Sequence, residues 1–244
     1  MARAASAGHM KRVLLKLSGE TLSGVDQRGL HQERIDALAG SLKEVTELGM
    51  ELAVVVGGGN IFRGFPASAQ GLDRETADYM GMLATVINGL ALEEALVRAG
   101  VGARALSAIT VGEFVPTYNP RQARRLLQDG QVVILTGGTG KPFFSTDTAA
   151  ALRAAELGAD TLLKATKVDG IYDADPRKHT DAERFPCITY EEYINRGLRV
   201  MDTTAVVLCM ENHIPIIVFD MTRQGNLRRL LMGEELGSIV KEVC

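Results

Sequence analysis

Three strand-like segments of this chain each end in a glycine-bearing turn, and that arrangement constrains the fold more than any other feature. Val13 to Leu17 runs into Ser18-Gly19, and Ala53 to Val56 runs into Gly57-Gly58-Gly59. Val132 to Leu135 runs into Thr136-Gly137-Gly138-Thr139-Gly140. Helical patterns separate them. Ile35, Leu38, Leu42, Val45 and Leu48 recur at three- and four-residue spacing before Gly49, and a longer helical region spans Asp73 to Ala99. Asn119-Pro120 opens a further helix that stops at Asp129-Gly130, Ser145 to Leu157 reads as helix, and so does Val200 to Asn212. Short strands are expected at Ala103 to Leu106, Thr161 to Lys164 and Pro215 to Phe219, with Ser238 to Val243 as a last edge strand. Strands alternating with helices imply right-handed crossovers and a mainly parallel sheet covered on both faces, an α/β fold.

In such sheets ligands bind beyond the carboxyl ends of the strands, where glycine lets the backbone approach phosphate and offer its N–H groups. Neither common phosphate fingerprint is present. Gly57-Gly58-Gly59-Asn60-Ile61-Phe62 lacks the last glycine of a dinucleotide loop, and Gly140-Lys141 is followed by Pro142 where a P-loop needs Ser or Thr. Phosphate must be handled by another device. Lys16 sits inside the apolar run Val13-Leu14-Leu15-Lys16-Leu17, where a lysine is costly without an anionic partner. Arg63 follows the triple glycine, and its planar fork suits phosphate. Ser145-Thr146-Asp147-Thr148 precedes an alanine-rich helix. One of the four is expected to cap it, and Asp147 either caps or orients a lysine such as Lys16. Tyr172 could stack on a base, with Asp175 accepting from ribose or base. Arg121, Arg124 and Arg125 share one helix face and read as solvated or interfacial.

Hydrophobic residues make up 46% of the chain and charged residues 23%, enough for a large core with a soluble surface. The net charge of −3, without a basic block, argues against sequence-independent nucleic-acid binding. Cys187, Cys209 and Cys244 stand far apart without metal-ligand spacing. The odd, sparse count fits a reducing compartment, no zinc site is expected, and no apolar run reaches the ~18 residues of a membrane span. The expected location is cytoplasmic. Residues 1–10 read as a disordered terminus or an expression remnant, and residues 11–244 as one domain.

Taken together, several segments resemble the bacterial UMP kinases of the amino-acid-kinase superfamily. They are Leu14 to Glu20, Gly57 to Gly64, Asp78 to Thr85, Gly138 to Asp147, Leu163 to Gly170 and Val200-Met201-Asp202. The resemblance runs in unbroken order from about Lys11 to the C-terminus. It implies a three-layer α/β/α sandwich on a mainly parallel sheet and a homohexamer built from dimers. It also implies transfer of the ATP γ-phosphoryl group to UMP, with Lys16 and Asp147 as the catalytic pair. The implied ATP contacts are Lys16, Leu17, Ser18, Gly19, Gly59, Arg63, Thr166, Tyr172 and Asp175. The implied UMP contacts are Gly58, Asp78 (on the ribose hydroxyls), Thr139, Gly140, Lys141, Pro142, Phe143, Phe144, Ser145 and Thr146. Mg²⁺ is expected on the ATP phosphates and water, with no protein ligand. Members of that family respond to GTP as activator and UTP as inhibitor. Many carry a Gly-Phe-Gly-like turn where this chain has Gly24, Val25, Asp26, Gln27, Arg28 and Gly29, and many carry asparagine at the place of Lys141. The competing readings are a kinase of the same fold with a carboxylate or carbamate acceptor, and a non-catalytic uridine-nucleotide sensor. A structural protein fits least, because glycines at three strand ends would weaken a scaffold.

Overall fold

Alternation along the first strand decides which face each residue meets. In β1 (Arg12–Leu17), Val13, Leu15 and Leu17 join the core on one side of the sheet, while Leu14 joins the core on the other. The computed structural model describes residues 10–25, 27–62, 71–176 and 178–244. The reading of residues 1–10 therefore falls, apart from Met10, outside the described residues.

After β1 come a short 3₁₀ turn (Gly19–Leu22), α1 (Gln32–Thr46), β2 (Glu51–Val56) and α2 (Arg74–Arg98). Next are β3 (Ala103–Ser107), α3 (Pro120–Gln128), β4 (Val132–Thr136), α4 (Thr146–Leu157) and β5 (Thr161–Thr166). The last third adds the hairpin β6 (Ile171–Tyr172) and β7 (Arg184–Phe185), then β8 (Cys187–Thr189), α5 (Tyr190–Asn195) and α6 (Thr203–Glu211). It closes with β9 (Ile216–Asp220), α7 (Asn226–Leu231) and β10 (Ser238–Lys241). Eight strands form one sheet in the order β3-β4-β2-β1-β5-β9-β10-β8, parallel throughout except where β10 runs antiparallel to β9. Helices α1, α2 and α7 cover one face and α3 to α6 the other, giving the three-layer α/β/α arrangement.

Helix boundaries follow local chemistry. The Asp73 side chain caps α2 by accepting from Thr76 N–H, and Asn119 caps α3 with Pro120 at its first turn. Ser145 caps α4, and Gly158 ends it with a left-handed φ of 66°. Each fully buried leucine of β1 contributes roughly 1.5–3 kcal/mol of hydrophobic stabilisation, so the strand beneath the site is among the best anchored parts of the fold.

Three expectations are corrected. Ser238–Lys241 is not an edge strand, because it lies between β9 and β8, and the edge is the three-residue β8. That pairing sets Ile239 opposite Cys187 and brings Cys244 to Cys187 in a disulfide, with Cα atoms 5.9 Å apart. Wide sequence spacing therefore did not mean unpaired cysteines, since a parallel ladder joins residues distant in the chain; Cys209 stays free and buried. Finally, α2 is long and apolar enough to cross a membrane by length and composition, contrary to the sequence reading. Half of its apolar window is buried inside the fold, where a core helix passes the same test.

Candidate active site

The strand order places β1 between β2 and β5. The chain leaves β1 toward β2 and leaves β5 toward β9, so the connections diverge at the β1–β5 boundary and open a crevice at their carboxyl ends. Lys16 and Lys164 face each other directly in the β1–β5 ladder. Period two puts Lys16 on the side of Leu14 and Lys164 on the side of Leu162, both facing the α4 layer.

Asp147, in the first turn of α4, comes down between the two lysines. Lys16 Nζ lies 2.8 Å from Asp147 Oδ1, and Lys164 Nζ donates to Oδ2. Both ammonium groups are therefore held by the one carboxylate, one on each oxygen. Burial pushes the Asp147 carboxyl up, but the Lys16 and Lys164 charges outweigh it and hold the group below its ordinary value. Burial draws Lys164 below the usual lysine value, with the nearby Lys16 charge adding to the effect and Asp147 opposing it. The stabilisation from ionised Asp147 is complete above the unfolded value of 3.8 and is lost as pH falls through its lower folded value.

Asp202 secures this helix start. It caps α6 through Ala205 N–H and accepts from the hydroxyls of Ser145 and Thr148, tying the α4 N-terminus to α6. The sequence reading included Asp202 in the resemblance but gave it no role, because its partners at the start of α4, Ser145 and Thr148, lie more than fifty residues away.

Two cavities meet over the lysines. One of about 340 Å³ is lined by the triple glycine, Asp78, Met82, Gly138, Thr139, Phe144 and Thr146. The other, about 960 Å³, is lined by Lys164, Thr166, Lys167, Thr222, Ser23, Gly24, Val25, Gln27 and one face of α1. Lys16, Ser18 and Glu20 line both. Lys167 Nζ sits 2.8 Å from Glu20 at this junction.

The remaining expected site residues divide clearly. Gly19, Gly58 and Gly59 line the smaller cavity, whereas the Leu17 side chain is buried in the core and its carbonyl accepts from Gly57 N–H. Asp78 Oδ2 accepts from Arg74 and from Phe143 N–H, latching α2 to the 141–145 turn. Phe143 takes a left-handed φ of 72° with Arg74 over its ring at 5.9 Å. Neither cavity is lined by Gly140, Lys141, Pro142, Phe143 or Ser145. Lys141 instead shares backbone hydrogen bonds with the Thr139 hydroxyl. Tyr172 Oη donates to Asp169, and Tyr172 and Asp175 sit on or beside the β6–β7 hairpin and line neither cavity. Of the 24–29 turn, Gly24, Val25 and Gln27 line the larger cavity, while Gly29 exchanges hydrogen bonds with Asn60. Arg63 and Asp26 lie outside the described residues. Lys164 is the residue that sequence reasoning missed, although it is enclosed in Thr161-Leu162-Leu163-Lys164-Ala165 much as Lys16 is in its own strand.

Close packing explains one glycine. A Cβ on Gly58 would lie 2.7 Å from Gly81 O and 2.9 Å from Ala84 Cβ, both on α2. We expect Gly58→Ala to cost about 1–3 kcal/mol by overpacking. At about 2–4 °C per kcal/mol for a chain of this size, thermal melts should show a drop of roughly 2–12 °C. An unchanged melting temperature would mean that α2 yields at no cost.

The sequence model of the Amino acid kinase family matches residues 11–220. A uridylate kinase of Parabacteroides distasonis is 53% identical over 233 residues, covering 94% of this chain and 98% of the relative. One of Bacteroides thetaiotaomicron is 52% identical over 233 residues with the same coverage. Among solved structures, the UMP kinase of Bacillus anthracis superposes with a TM-score of 0.93 at 33% identity, covering 96% of this chain and 97% of that one. The UMP kinase of Ureaplasma parvum gives 0.90 at 36% identity, covering 96% and 100%. With its sheet, its lysine-flanked crevice and these relatives in agreement, the chain belongs to the amino acid kinase family.

Proposed function

We propose that the chain transfers the γ-phosphoryl group of ATP to UMP, giving UDP and ADP. The observation that carries this reading is the meeting of two cavities at Lys16, above the Lys16–Asp147–Lys164 cluster. Transfer between two nucleotides needs two sites whose phosphates converge on fixed positive charge, and the relatives named above are uridylate and UMP kinases. The larger cavity takes the donor and the smaller one the acceptor. An oxygen of the UMP phosphate attacks the γ-phosphorus in line. The new P–O bond forms as the bond to the β-phosphate oxygen breaks, and ADP leaves with that electron pair. No protein base is required, because a phosphate monoester with a second pKa of about 6 is already mostly deprotonated at neutral pH.

The chain's own residues position and neutralise. Lys16 and Lys164, both held by Asp147, present fixed ammonium charge to the transferring group. Asp78 directs Oδ1 to the ribose hydroxyls while Oδ2 keeps its bonds to Arg74 and Phe143. Mg²⁺ would be held by ATP oxygens and water, the usual surroundings of that ion beside nucleotide phosphates. The ion would neutralise phosphate charge there.

We place residues 11–244 in one kinase domain working in the cytoplasm as a homohexamer. In support of self-association, α2 turns Leu83, Ile87, Leu90 and Val97 outward as an exposed apolar stripe. GTP activation and UTP inhibition would act through the 24–29 turn in the wall of the donor cavity.

The test is release of ADP from Mg-ATP with UMP, CMP, dUMP, AMP, acetylglutamate and aspartate assayed in parallel. Turnover is expected with UMP and weakly or not at all with the others. Turnover on an amino acid alone would replace the acceptor, and UMP binding without turnover on any compound would make the chain a sensor.

A further inference from the structure

In a trans peptide unit the carbonyl and the N–H of the next residue point in opposite directions. A side chain that grips the carbonyl of residue i therefore fixes where the N–H of residue i+1 points. Two buried side chains grip carbonyls immediately before residues that line the acceptor cavity.

The first is Asn88, fully buried midway along α2. Its Nδ2 donates to Gly57 O at 2.6 Å and to Asn60 Oδ1 at 2.7 Å. Asn60 Nδ2 returns a bond to Asn88 Oδ1 at 3.1 Å and donates to Gly29 O at 2.7 Å. The carbonyls of Gly57 and Gly29 fix both amides, since turning either one would set oxygen against oxygen. The second is Arg153 in α4, which is 6% exposed. Its Nη2 donates to Gly138 O at 3.3 Å and its Nη1 to Glu156 at 2.6 Å. Its guanidinium lies 4.1 Å from the centre of the Tyr118 ring. Tyr118 Oη donates to the same Glu156 carboxylate.

The next residues are Gly58 and Thr139. Both line the smaller cavity, and the N–H of neither has a hydrogen-bond partner among the described residues. Gly58 is buried, and an unpaired buried N–H is costly unless a ligand completes it.

We propose that Asn88 and Arg153 are positioning residues that turn the Gly58 and Thr139 N–H groups, on the loops after the neighbouring strands β2 and β4, toward the acceptor phosphate. This rests on the reading of the smaller cavity as the acceptor site. Neither side chain lines a cavity, so each acts through one peptide plane. If the two groups served only as core filling, an apolar residue of similar volume would lower or raise stability and leave ligand affinity alone.

The experiment compares Asn88→Leu, Arg153→Met and Arg153→Lys with the wild-type full chain. It reads the KM for UMP and for ATP, the calorimetric Kd for UMP, and the melting temperature. The expected result is a rise of about tenfold or more in both UMP constants, equivalent to about 1.4 kcal/mol. The ATP KM should stay within about twofold, and Arg153→Lys should recover part of the loss. Unchanged UMP constants with only the melting temperature moved would overturn the inference. Full recovery by Arg153→Lys would overturn it as well, by assigning the effect to charge. Should Asn88→Leu fail to fold, the Arg153 pair decides. A wild-type chain that does not bind UMP sinks the functional reading instead. The same comparison is then read with inorganic phosphate as the probe, through the concentration dependence of its thermal stabilisation. Equal responses in wild type and variants would overturn the inference.

Discussion

Asp147→Asn is expected to bind ATP and UMP but to turn over about 10²–10³-fold more slowly, the size of effect seen when one preorganised electrostatic partner is removed from a transfer site. On the proposed reading the carboxylate acts through Lys16 and Lys164, both of which it pairs. Its loss leaves two buried ammonium groups facing each other across one β-ladder without the carboxylate that pairs both, Asp202 alone still favouring charge on Lys164. Breaking a buried ion pair from one side costs about 3–5 kcal/mol, so the variant should melt lower. Because anionic ligands supply the missing charge, added ATP should raise its melting temperature more than it raises that of the wild type. The variant should also lose the attraction that keeps Lys164 protonated, so Lys164 falls further and residual turnover increases toward lower pH. Weakened nucleotide binding with kcat retained would place Asp147 in binding and remove it from the transfer step.

The parallel sheet and the glycine turns were legible because they depend on local signals. Apolar runs of four or five residues, breaks at glycine and caps at Asp73, Asn119 and Ser145 are all read within one turn of chain. The Lys16–Asp147 meeting was legible for a different reason. A lysine within an apolar strand demands an anion, and Asp147 was an acidic residue at a strand-to-helix junction of the same kind. What stayed hidden depends on adjacency across the sheet. Nothing near Cys187 announces a strand of three residues, and nothing near Ser238 says that it will be flanked on both sides. The six-residue helices α5 and α7 are too short to show a period, and the β6–β7 hairpin pairs only two residues on each strand. Asn88 and Arg153 were invisible because each grips a carbonyl from a different segment of the chain. Tyr172 and Asp175 are a further case: the resemblance implies that they contact ATP, and neither lines either cavity.

Lys164→Met separates catalysis from stability in the direction opposite to Asp147→Asn. The three-group cluster carries two positive charges and one negative, so removing Lys164 leaves Lys16 and Asp147 as a balanced pair. Burial already opposes the charge on Lys164, and methionine fills a similar volume without that penalty. The melting temperature should therefore hold or rise. Turnover should nonetheless fall about 10²–10³-fold, because one of the two fixed ammonium groups facing the transferring phosphoryl is gone. A pH profile supplies the independent readout. Since the folded value of Lys164 lies below the usual 10.5, wild-type turnover should decline on the alkaline side before the ordinary lysine range, as that ammonium loses its proton. In Lys164→Met the early decline should vanish along with most of the activity. A variant that keeps wild-type kcat would make Lys164 a structural anchor for Asp147 alone. One that loses activity but keeps the same alkaline decline would assign the titrating group elsewhere.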